Sequence, residues 1–419
     1  MDTMTGRLRH RFTLQAAATL VALILGSGTV VVLVSSRGSV PTSGNSAAAV
    51  IAAVVASLIV SRFASALVAA GCAGTGAAAL IVGTASSSTE ISLFGTLGGG
   101  AVLGALAAVA ATGRLWTVVF GVAVGAALLL SVGVVTVPRS YAQFTVAEDE
   151  LITTYGAALA VTVGALALTG RRDRIASSGR TTGVALVVAL VGLVPVLTTN
   201  VTAALGATGL SGTIDTTSSW AFATVTVTIV LIAAAIVAPS AGALILGGIA
   251  LWLLSRPASV VVLSDSGSTG PAAVHLIIIL GSVLLGAAAG HLARPTYGVP
   301  LAFGCAAAAV AALYLGATGT WIAIAAVGVA AGIVVGSCVA ATDVPPSPTL
   351  VAAGMLVPLA LATMPTSPVS ADFGWTAYTP LTSISDSVTF TRPVTGTLVS
   401  MMCLALCAVG AEVVRRRRS

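Results

Sequence analysis

The stretch GCAGTGAAALIVG (Gly71–Gly83) contains no charged residue, and small side chains fill most of its positions. It belongs to a longer apolar run, 64–85, whose length matches the roughly 20 residues that a helix needs to cross a bilayer. Similar runs recur along all 419 residues, of which 57% are hydrophobic and 7% are charged. Because a soluble domain carries about 25% charged residues, the composition predicts an all-α polytopic integral membrane protein.

The apolar runs are separated by glycine, proline, serine and charged residues, and their lengths predict about fourteen transmembrane helices. Three of the runs are short, so twelve helices is the alternative, and Pro239 is expected to divide the long run 220–255 into two helices. The predicted helices lie at 12–35, 47–60, 64–85, 95–112, 115–136, 151–169, 182–198, 220–237, 240–255, 272–290, 299–316, 319–341, 349–363 and 395–414.

Arginine placement predicts the orientation of these helices. All 18 basic residues are arginine, and cytoplasmic loops of membrane proteins carry an excess of basic residues. With fourteen crossings and a cytoplasmic N-terminus, fourteen of the 18 arginines fall inside and eight of the 12 acidic residues fall outside. Both termini are therefore predicted to be cytoplasmic, and the net charge of +6 needs no nucleic-acid partner. The absence of lysine and the excess of Ala, Gly and Val indicate a GC-rich bacterial source, and hence the cell inner membrane.

The opening stretch has a counterpart later in the chain, at Gly304–Gly316 (GCAAAAVAALYLG). The two are identical at seven of thirteen positions, and each places a glycine eleven residues after its cysteine. The flanking segments match in the same order: Ser36–Val40 resembles Ser255–Val260, and the sequence VAAT ends both the fourth and the twelfth predicted helix. These ordered matches predict an internal duplication.

The duplication divides the chain into three parts. A first six-helix repeat occupies 1–174, two linking transmembrane helices occupy 175–239, and a second six-helix repeat occupies 240–419. Both repeats are predicted to begin in the cytoplasm, so they would be parallel and related by an axis along the membrane normal.

A plan of six, two and six helices with both termini inside resembles the fourteen-helix branch of the major facilitator superfamily. The residues Gly290-His291-Leu292-Ala293-Arg294 and Ser61-Arg62-Phe63 stand at the two turns where that family has a Gly-x-Leu-Ala-Asp-Arg motif, although no aspartate precedes either arginine. The resemblance implies a secondary transporter, and it makes Arg62, Arg294 and Gly290 candidates for gating.

Ionisable residues inside a membrane mark ion paths and substrate sites, and the predicted helices contain very few. His275, near the outer end of the tenth predicted helix, is a candidate coupling group; an interfacial, hydrogen-bonded histidine is the alternative. The cluster Glu148–Glu150 is interpreted as a solvated loop, although an outer-face lipid-linked sugar transferase would also use such acids.

No motif points to an enzyme or to a bound cofactor. The chain has no P-loop, no G-x-S-x-G and no HExxH motif, and its five cysteines show neither zinc-ligand spacing nor a CxxC pair. We therefore expect no catalytic residues, no metal and no cofactor. The cysteines, including Cys72 and Cys305, are interpreted as small packing residues.

Glycines and prolines give the remaining expectations. Gly328, Gly332 and Gly336 recur every four residues, and so do Gly100 and Gly104 in the fourth predicted helix; this spacing lets helices approach closely, for static packing or for sliding. Pro195 and Pro358 are expected to interrupt backbone hydrogen bonding in their helices.

The sequence-based hypothesis is a secondary-transporter-like protein with the bilayer as its environment, moving a hydrophobic or amphipathic small molecule or lipid. The alternative is a non-transporting scaffold subunit of a cell-envelope complex. The long outer loop 365–394, which is rich in aromatic residues, would be its partner-binding surface or, alternatively, an interfacial anchor.

Overall fold

The structure of the protein is a computed structural model. It describes residues 2–35, 45–84, 89–134, 141–169, 179–191, 216–237, 239–264, 272–292, 295–312, 317–341, 347–361 and 392–418. Within these ranges the chain is helical apart from short turns, and no strand occurs in them.

The described helices follow one another along the chain with short connections. They are α1 (Asp2–Ser27), α2 (Thr29–Ser35), α3 (Asn45–Phe63), α4 (Ala66–Thr84), α5 (Thr89–Ala110), α6 (Arg114–Val134), α7 (Tyr141–Leu168), α8 (Gly179–Val191), α9 (Thr216–Val237), α10 (Pro239–Ser264), α11 (Ala272–Leu292), α12 (Pro295–Ala312), α13 (Ala317–Ala340), α14 (Pro348–Met355), α15 (Val357–Ala360) and α16 (Arg392–Arg418).

Each predicted segment overlaps a helix of the described part of the chain, and Pro239 begins α10 after α9 ends at Val237, as expected. By length and composition, six described stretches can cross a membrane: Thr13–Val34, Ala66–Thr84, Leu93–Ala110, Arg114–Ser131, Trp321–Ala340 and Leu398–Arg417. The other apolar helices are shorter within the described residues. The helical membrane class is confirmed, whereas the number of crossings and the side of each terminus stay predictions.

The first predicted helix is interrupted near its middle. α1 ends at Ser27, and the Gly28 N–H donates a hydrogen bond to the Leu25 carbonyl (3.1 Å), a bond three residues back that tightens the last turn. The β-branched run that opens α2 then starts a new segment at Thr29. The predicted segment 12–35 nevertheless corresponds to one stretch that can cross a membrane by length and composition, Thr13–Val34, with a one-residue interruption at Gly28.

The thirteenth predicted helix is also divided, at the place where Pro358 predicted an interruption. α14 ends at Met355, Leu356 forms the junction, and Pro358 lies in the first turn of α15. Proline has no N–H to donate, so a regular helix cannot continue through this position with full hydrogen bonding. The expectation for Pro358 is confirmed; Pro195 lies outside the described residues.

One boundary differs enough to change an interpretation. α7 begins at Tyr141, ten residues before the predicted start, so the backbone of Glu148–Glu150 is helical instead of forming a loop. The segment Tyr141–Glu150 has no proline or glycine to stop a helix from extending beyond its apolar part.

Helix packing follows the same order in the two predicted repeats. In the first, α5 packs most extensively on α3 and α4, and α7 packs on α1 and α4. In the second, α13 packs most extensively on α11 and α12, and α16 packs on α10 and α12. Thus, counted within each predicted repeat, the fourth helix packs on the second and third, and the sixth packs on the first and third.

The two predicted linking helices have different neighbours. α9 packs on α10 and α16 of the second predicted repeat, whereas α8 contacts α3 of the first repeat and α14 of the second. α8 therefore lies beside the contact between the two predicted repeats. The division into 1–174, 175–239 and 240–419 itself remains a prediction.

Candidate functional site at the contact between the predicted repeats

The four residues that the sequence singled out do not form one described site. Arg62 is exposed in the last turn of α3, and Gly290 is buried in α11. Arg294 and the side chain of His275 lie outside the residues that the structure describes. Their proposed gating and coupling roles stay predictions.

The turn that follows Arg62 is a tight reversal into α4. Ala64 has a positive φ of 51°, and its N–H donates a hydrogen bond to the Val60 carbonyl (3.0 Å). A left-handed residue ends α3 and redirects the chain at once, at a cost of about 1–2 kcal/mol for a residue with a Cβ.

Gly290 has a packing role in the described structure. A methyl group added at Gly290 would collide with the carbonyl oxygen of Ile333 on α13. At the neighbouring close approaches the glycine lies on α13 and the carbonyl on α11. Methyl groups added at Gly332 and Gly336 would collide with the carbonyl oxygens of Val283 and Ala287. Glycines on both helices therefore bring the two backbones together.

The most distinctive contacts lie between the two predicted repeats, and they centre on the fifth helix of each. α6, the fifth helix of the first repeat, packs on α10, α11 and α13 of the second. The divided fifth helix of the second repeat packs back onto the first: α14 contacts α3 and α5, and α15 contacts α2 and α3. Each fifth helix thus contacts the first, second and fourth helices of the other repeat.

Side chains meet closely where α6 faces the second repeat. A methyl group added at Gly121 would lie 2.7 Å from Val335 Cγ1 on α13 and 3.2 Å from Met355 Sδ on α14. Phe120, Val335 and Met355 are fully buried. This contact has glycine on one side and flexible or branched side chains on the other.

The divided helix of the second predicted repeat, α14–α15, is also closely surrounded by its neighbours. All eight residues of α14 are buried, including the hydroxyl-bearing Thr349. The carbonyl of Gly354, whose helical partner would be the N–H that Pro358 lacks, faces Gly248 of α10 so closely that any side chain at Gly248 would collide with it. The glycine on α10 therefore leaves room for the carbonyl at the interruption of the neighbouring helix.

Apart from the indole N–H of Trp252 and the thiols of three buried cysteines, the buried polar side-chain groups of the described structure are hydroxyls. The buried polar residues are all serine or threonine, and no charged side chain is buried in the described part. Most of these hydroxyls donate to a carbonyl three or four residues earlier, as Ser27 does to Leu23 (2.7 Å) and Thr162 does to Ala158 (2.8 Å). Such bonds satisfy the hydroxyl within its own helix.

Thr29 is the exception among the described residues. Its hydroxyl oxygen is buried and has no hydrogen-bond partner there. Thr29 directly follows the interruption at Gly28. The ring of Tyr155 lies next to Gly28, since a methyl group added there would be 3.6 Å from Tyr155 Cε1. The sequence does not single out this position, since a threonine at the start of a β-branched run has no distinctive pattern.

A second feature that sequence reasoning missed is that Gly98 and Gly99 extend the role of Gly100 in α5. Added methyl groups there would collide with Gly76 of α4, with Leu33 of α2 and with Ala49 of α3, respectively. Successive residues of a helix point about 100° apart, so each glycine admits a different neighbour. The triplet itself is the sequence signal, and it makes α5 the centre of the first repeat.

The described side chains supply no reactive group of the usual kinds. All five cysteines are free, with Cys338, Cys403 and Cys407 buried. Within the described residues, no group of three or more His, Cys, Asp and Glu side chains could hold a metal ion. Cys72 and Cys305 are half-buried on matching helices, α4 and α12.

Comparison with known proteins adds no family, because no protein-family model and no curated protein matches the chain. The class therefore follows from the structure itself: an all-helical protein, several of whose helices are long and apolar enough to cross a membrane. The loop predicted at 365–394 lies outside the described residues up to position 391, and α16 begins at Arg392.

Proposed function

We propose that the protein is a secondary-transporter-like membrane protein that moves a hydrophobic or amphipathic small molecule, or a lipid, along the contact between its two halves. The carrying observation is the reciprocal packing of the fifth helices, in which α6 and the α14–α15 pair each contact three helices of the other half. Two similar bundles joined in this way are the arrangement on which alternating access in parallel-repeat transporters is built.

The packing order within each half supports the predicted parallel duplication, because the same pairs of helices are in contact in both. It also fits the proposed likeness to the major facilitator superfamily, which was inferred from topology and from Ser61-Arg62-Phe63 and Gly290–Arg294. The bacterial inner membrane is the proposed location, on the basis of composition and arginine placement.

The character of the interior supports the proposed substrate class. The buried polar residues of the described part are serine and threonine, whose hydroxyls can orient a substrate by hydrogen bonds but cannot compensate a charge. A charged substrate would need a buried partner of opposite sign. A hydrophobic molecule, or an amphipathic one whose polar group carries no charge, needs none.

The test is transport by the purified full-length chain in proteoliposomes. Two uncharged probes cover the substrate class: a glucosylceramide with a fluorescent NBD label, whose flipping is followed by dithionite quenching, and an uncharged lipophilic fluorescent dye, whose uptake is followed directly. We expect at least one probe to move faster than in empty vesicles.

A matched pair of substitutions connects transport to the proposed contact. Gly121→Leu fills the contact of α6 with Val335 and Met355, whereas Gly164→Leu places the same side chain on an exposed part of α7 with no atom within 4 Å of an added methyl group. We expect transport to fall to the level of empty vesicles for Gly121→Leu and to stay unchanged for Gly164→Leu, with both variants eluting as folded protein.

Two results would reject the proposal. One is the absence of movement for both probes by folded protein, and the other is equal loss of transport in the two variants. The absence of movement together with a stoichiometric partner that co-purifies through 365–394 would favour the scaffold alternative.

A further inference from the structure

The interruption at Gly28 is not imposed by the covalent structure of the chain. No proline occurs in 12–35, so every residue of this segment has an N–H that a regular helix could use. The division at Pro358 is different, because proline has no N–H to donate. The break at Gly28 is therefore a conformation that the segment can leave without losing a backbone donor.

The backbone hydrogen bonds at the break follow the tighter pattern of a turn. The Gly28 N–H donates to the Leu25 carbonyl (3.1 Å), and the Val31 N–H donates to the Gly28 carbonyl (2.9 Å). In a continuous α-helix each carbonyl accepts from the residue four positions later, which for Leu25 is Thr29. Straightening the segment would therefore bring Thr29 above the Leu25 carbonyl.

The Thr29 hydroxyl lacks the kind of partner that most buried hydroxyls of the described chain have. Thr29 is 2% exposed, and its hydroxyl oxygen has no hydrogen-bond partner within the described structure. By contrast, Thr19 and Ser27 of α1 donate to carbonyls four residues earlier, at 2.8 Å and 2.7 Å. In a continuous helix Thr29 could donate to the Leu25 carbonyl in the same way. Because a buried unpaired hydroxyl is destabilising, this bond would favour a straight segment.

The two sides of the break are held differently by their surroundings. Residues 30–33 of α2 are buried, and α2 packs on α5, on α6 and on α15 of the second predicted repeat. α1 instead has exposed large apolar side chains, among them Leu14, Leu20 and Ile24. A change of angle at the break would therefore move α1 through lipid, while α2 stays fixed beside the contact between the predicted repeats.

We propose that Gly28 is a hinge between two conformations of the α1–α2 segment. One is the bent form of the structure, in which the Thr29 hydroxyl is unpaired; the other is a straight form, in which this hydroxyl donates to the Leu25 carbonyl. Glycine permits the bent form, since a methyl group added at Gly28 would lie 3.0 Å from the Leu25 carbonyl oxygen. The hinge is a property of the fold and does not depend on what the protein transports.

The experiment measures the angle at the hinge as a distance between two spin labels, by double electron–electron resonance. The labels are attached at Leu14→Cys on α1 and Leu115→Cys on α6, both exposed positions, in the full-length chain with its native cysteines replaced by alanine. Leu14 lies about 21 Å along the helix from Gly28, so a change of about 20° moves it by about 7 Å. We expect two distances in one sample.

Two substitutions are expected to shift the two populations in opposite directions. Thr29→Val keeps the shape of the side chain and removes the hydroxyl, so the ratio of straight to bent form should fall roughly tenfold. Gly28→Ala disfavours the tight turn and favours a continuous helix, so the ratio should rise roughly fivefold. Thr19→Val removes a hydroxyl that is already paired on the same helix and should leave the ratio unchanged.

Four results, each obtained with variants that elute as folded protein, would overturn the proposal. They are an identical distance distribution in all samples, shifts of Thr29→Val and Gly28→Ala in the same direction, an equal shift in Thr19→Val, and a shift in Gly28→Ala alone. The last result would mean that the Thr29 hydroxyl is satisfied in the bent form by a buried water and does not contribute to a hinge.

Discussion

The pairs α3·α5 and α11·α13 reach the same close approach with different distributions of glycine. In the first pair the glycines lie only on α5, where Gly100 and Gly104 face the carbonyls of Ala49 and Ala53. In the second, glycines lie on both helices, with Gly286 and Gly290 on α11 facing carbonyls of α13, and Gly332 facing α11. Backbone contact therefore needs a glycine on one helix, and the opposing residue can be alanine, valine or isoleucine.

Two helix pairs with different sequences therefore reach the same kind of close approach. The obstacle to any added side chain is a backbone carbonyl, which cannot rotate away as a side chain can. Each glycine is thus constrained by the carbonyl that it faces, whereas the residues that carry those carbonyls differ between the two pairs. The effect of a glycine substitution should accordingly depend on the type of atom that it meets.

The largest effect is expected where two backbone obstacles act together in α11·α13. Gly332→Ala/Gly336→Ala would push methyl groups into the carbonyls of Val283 and Ala287, and overpacking of a tight contact costs about 1–3 kcal/mol per site. The unfolding free energy, measured by steric trapping in bicelles, should fall by about 2–6 kcal/mol.

The control for this prediction lies on the same pair of helices. No atom lies within 4 Å of a methyl group added at Gly281 of α11, so Gly281→Ala should not destabilise. An equal loss in Gly281→Ala would mean that α11 itself, and not its contact with α13, is sensitive.

The next prediction tests whether glycines on only one of two helices are enough for a close backbone approach. Gly104→Ala on α5 would meet the carbonyl of Ala53, and the unfolding free energy should fall by about 1–3 kcal/mol. Gly332→Ala alone should give the same loss, since both obstacles are backbone atoms. A loss for Gly104→Ala below half of that for Gly332→Ala would contradict the equivalence of the two pairs.

A smaller effect is expected where the obstacle is a side chain. A methyl group added at Gly328 would meet the hydroxyl of Ser282, which donates to the Ile279 carbonyl (3.0 Å) within its own helix. Because serine can change rotamer, Gly328→Ala should cost at most about 1 kcal/mol. The double variant Ser282→Ala/Gly328→Ala should recover part of this loss; no recovery would show that the Ser282 Cβ, 3.0 Å from the added methyl group, is the obstacle instead of the hydroxyl.

The smallest effect is expected at the two glycines that precede Cys72 and Cys305. Methyl groups added at Gly71 and Gly304 would have no atom within 4 Å. Both Gly71→Ala and Gly304→Ala should therefore leave stability unchanged or raise it by up to about 1 kcal/mol, through helix propensity. A clear loss at only one of them, in the same unfolding assay, would break the correspondence between α4 and α12.

The sequence predicts the class and the helix positions well, because long uncharged runs admit few other structures. It predicts contacts less well. The helices are apolar on nearly all sides, so hydrophobic periodicity does not tell which face packs and which faces lipid. Gly332 and Gly104 were recognisable from their four-residue spacing, whereas the role of Gly121 depends on the approach of α13 and α14 and has no local signal.

The interruptions show the same limit. Pro358 predicts the division of the thirteenth helix because proline lacks an N–H. Gly28, by contrast, is one of 46 glycines, and nothing in the sequence distinguishes it as an interruption. The helical extension through Glu148–Glu150 was missed because charge density was interpreted as a loop. The sequence could not predict that the Thr29 hydroxyl is buried without a hydrogen-bond partner, because burial is defined only once the helices are packed together.

The central claim is that the fifth helix of the first repeat packs against the second repeat, and disulfide cross-linking tests it most directly. In a chain whose native cysteines are replaced by alanine, Gly121→Cys/Val335→Cys places the two Cβ atoms near disulfide distance, about 3.5–4.5 Å. Oxidation in native membranes, followed by mass spectrometry of linked peptides, should give nearly complete cross-linking, and Gly164→Cys/Val335→Cys should give none. Equal yields for the two pairs, or no cross-link between positions 121 and 335, would contradict the account.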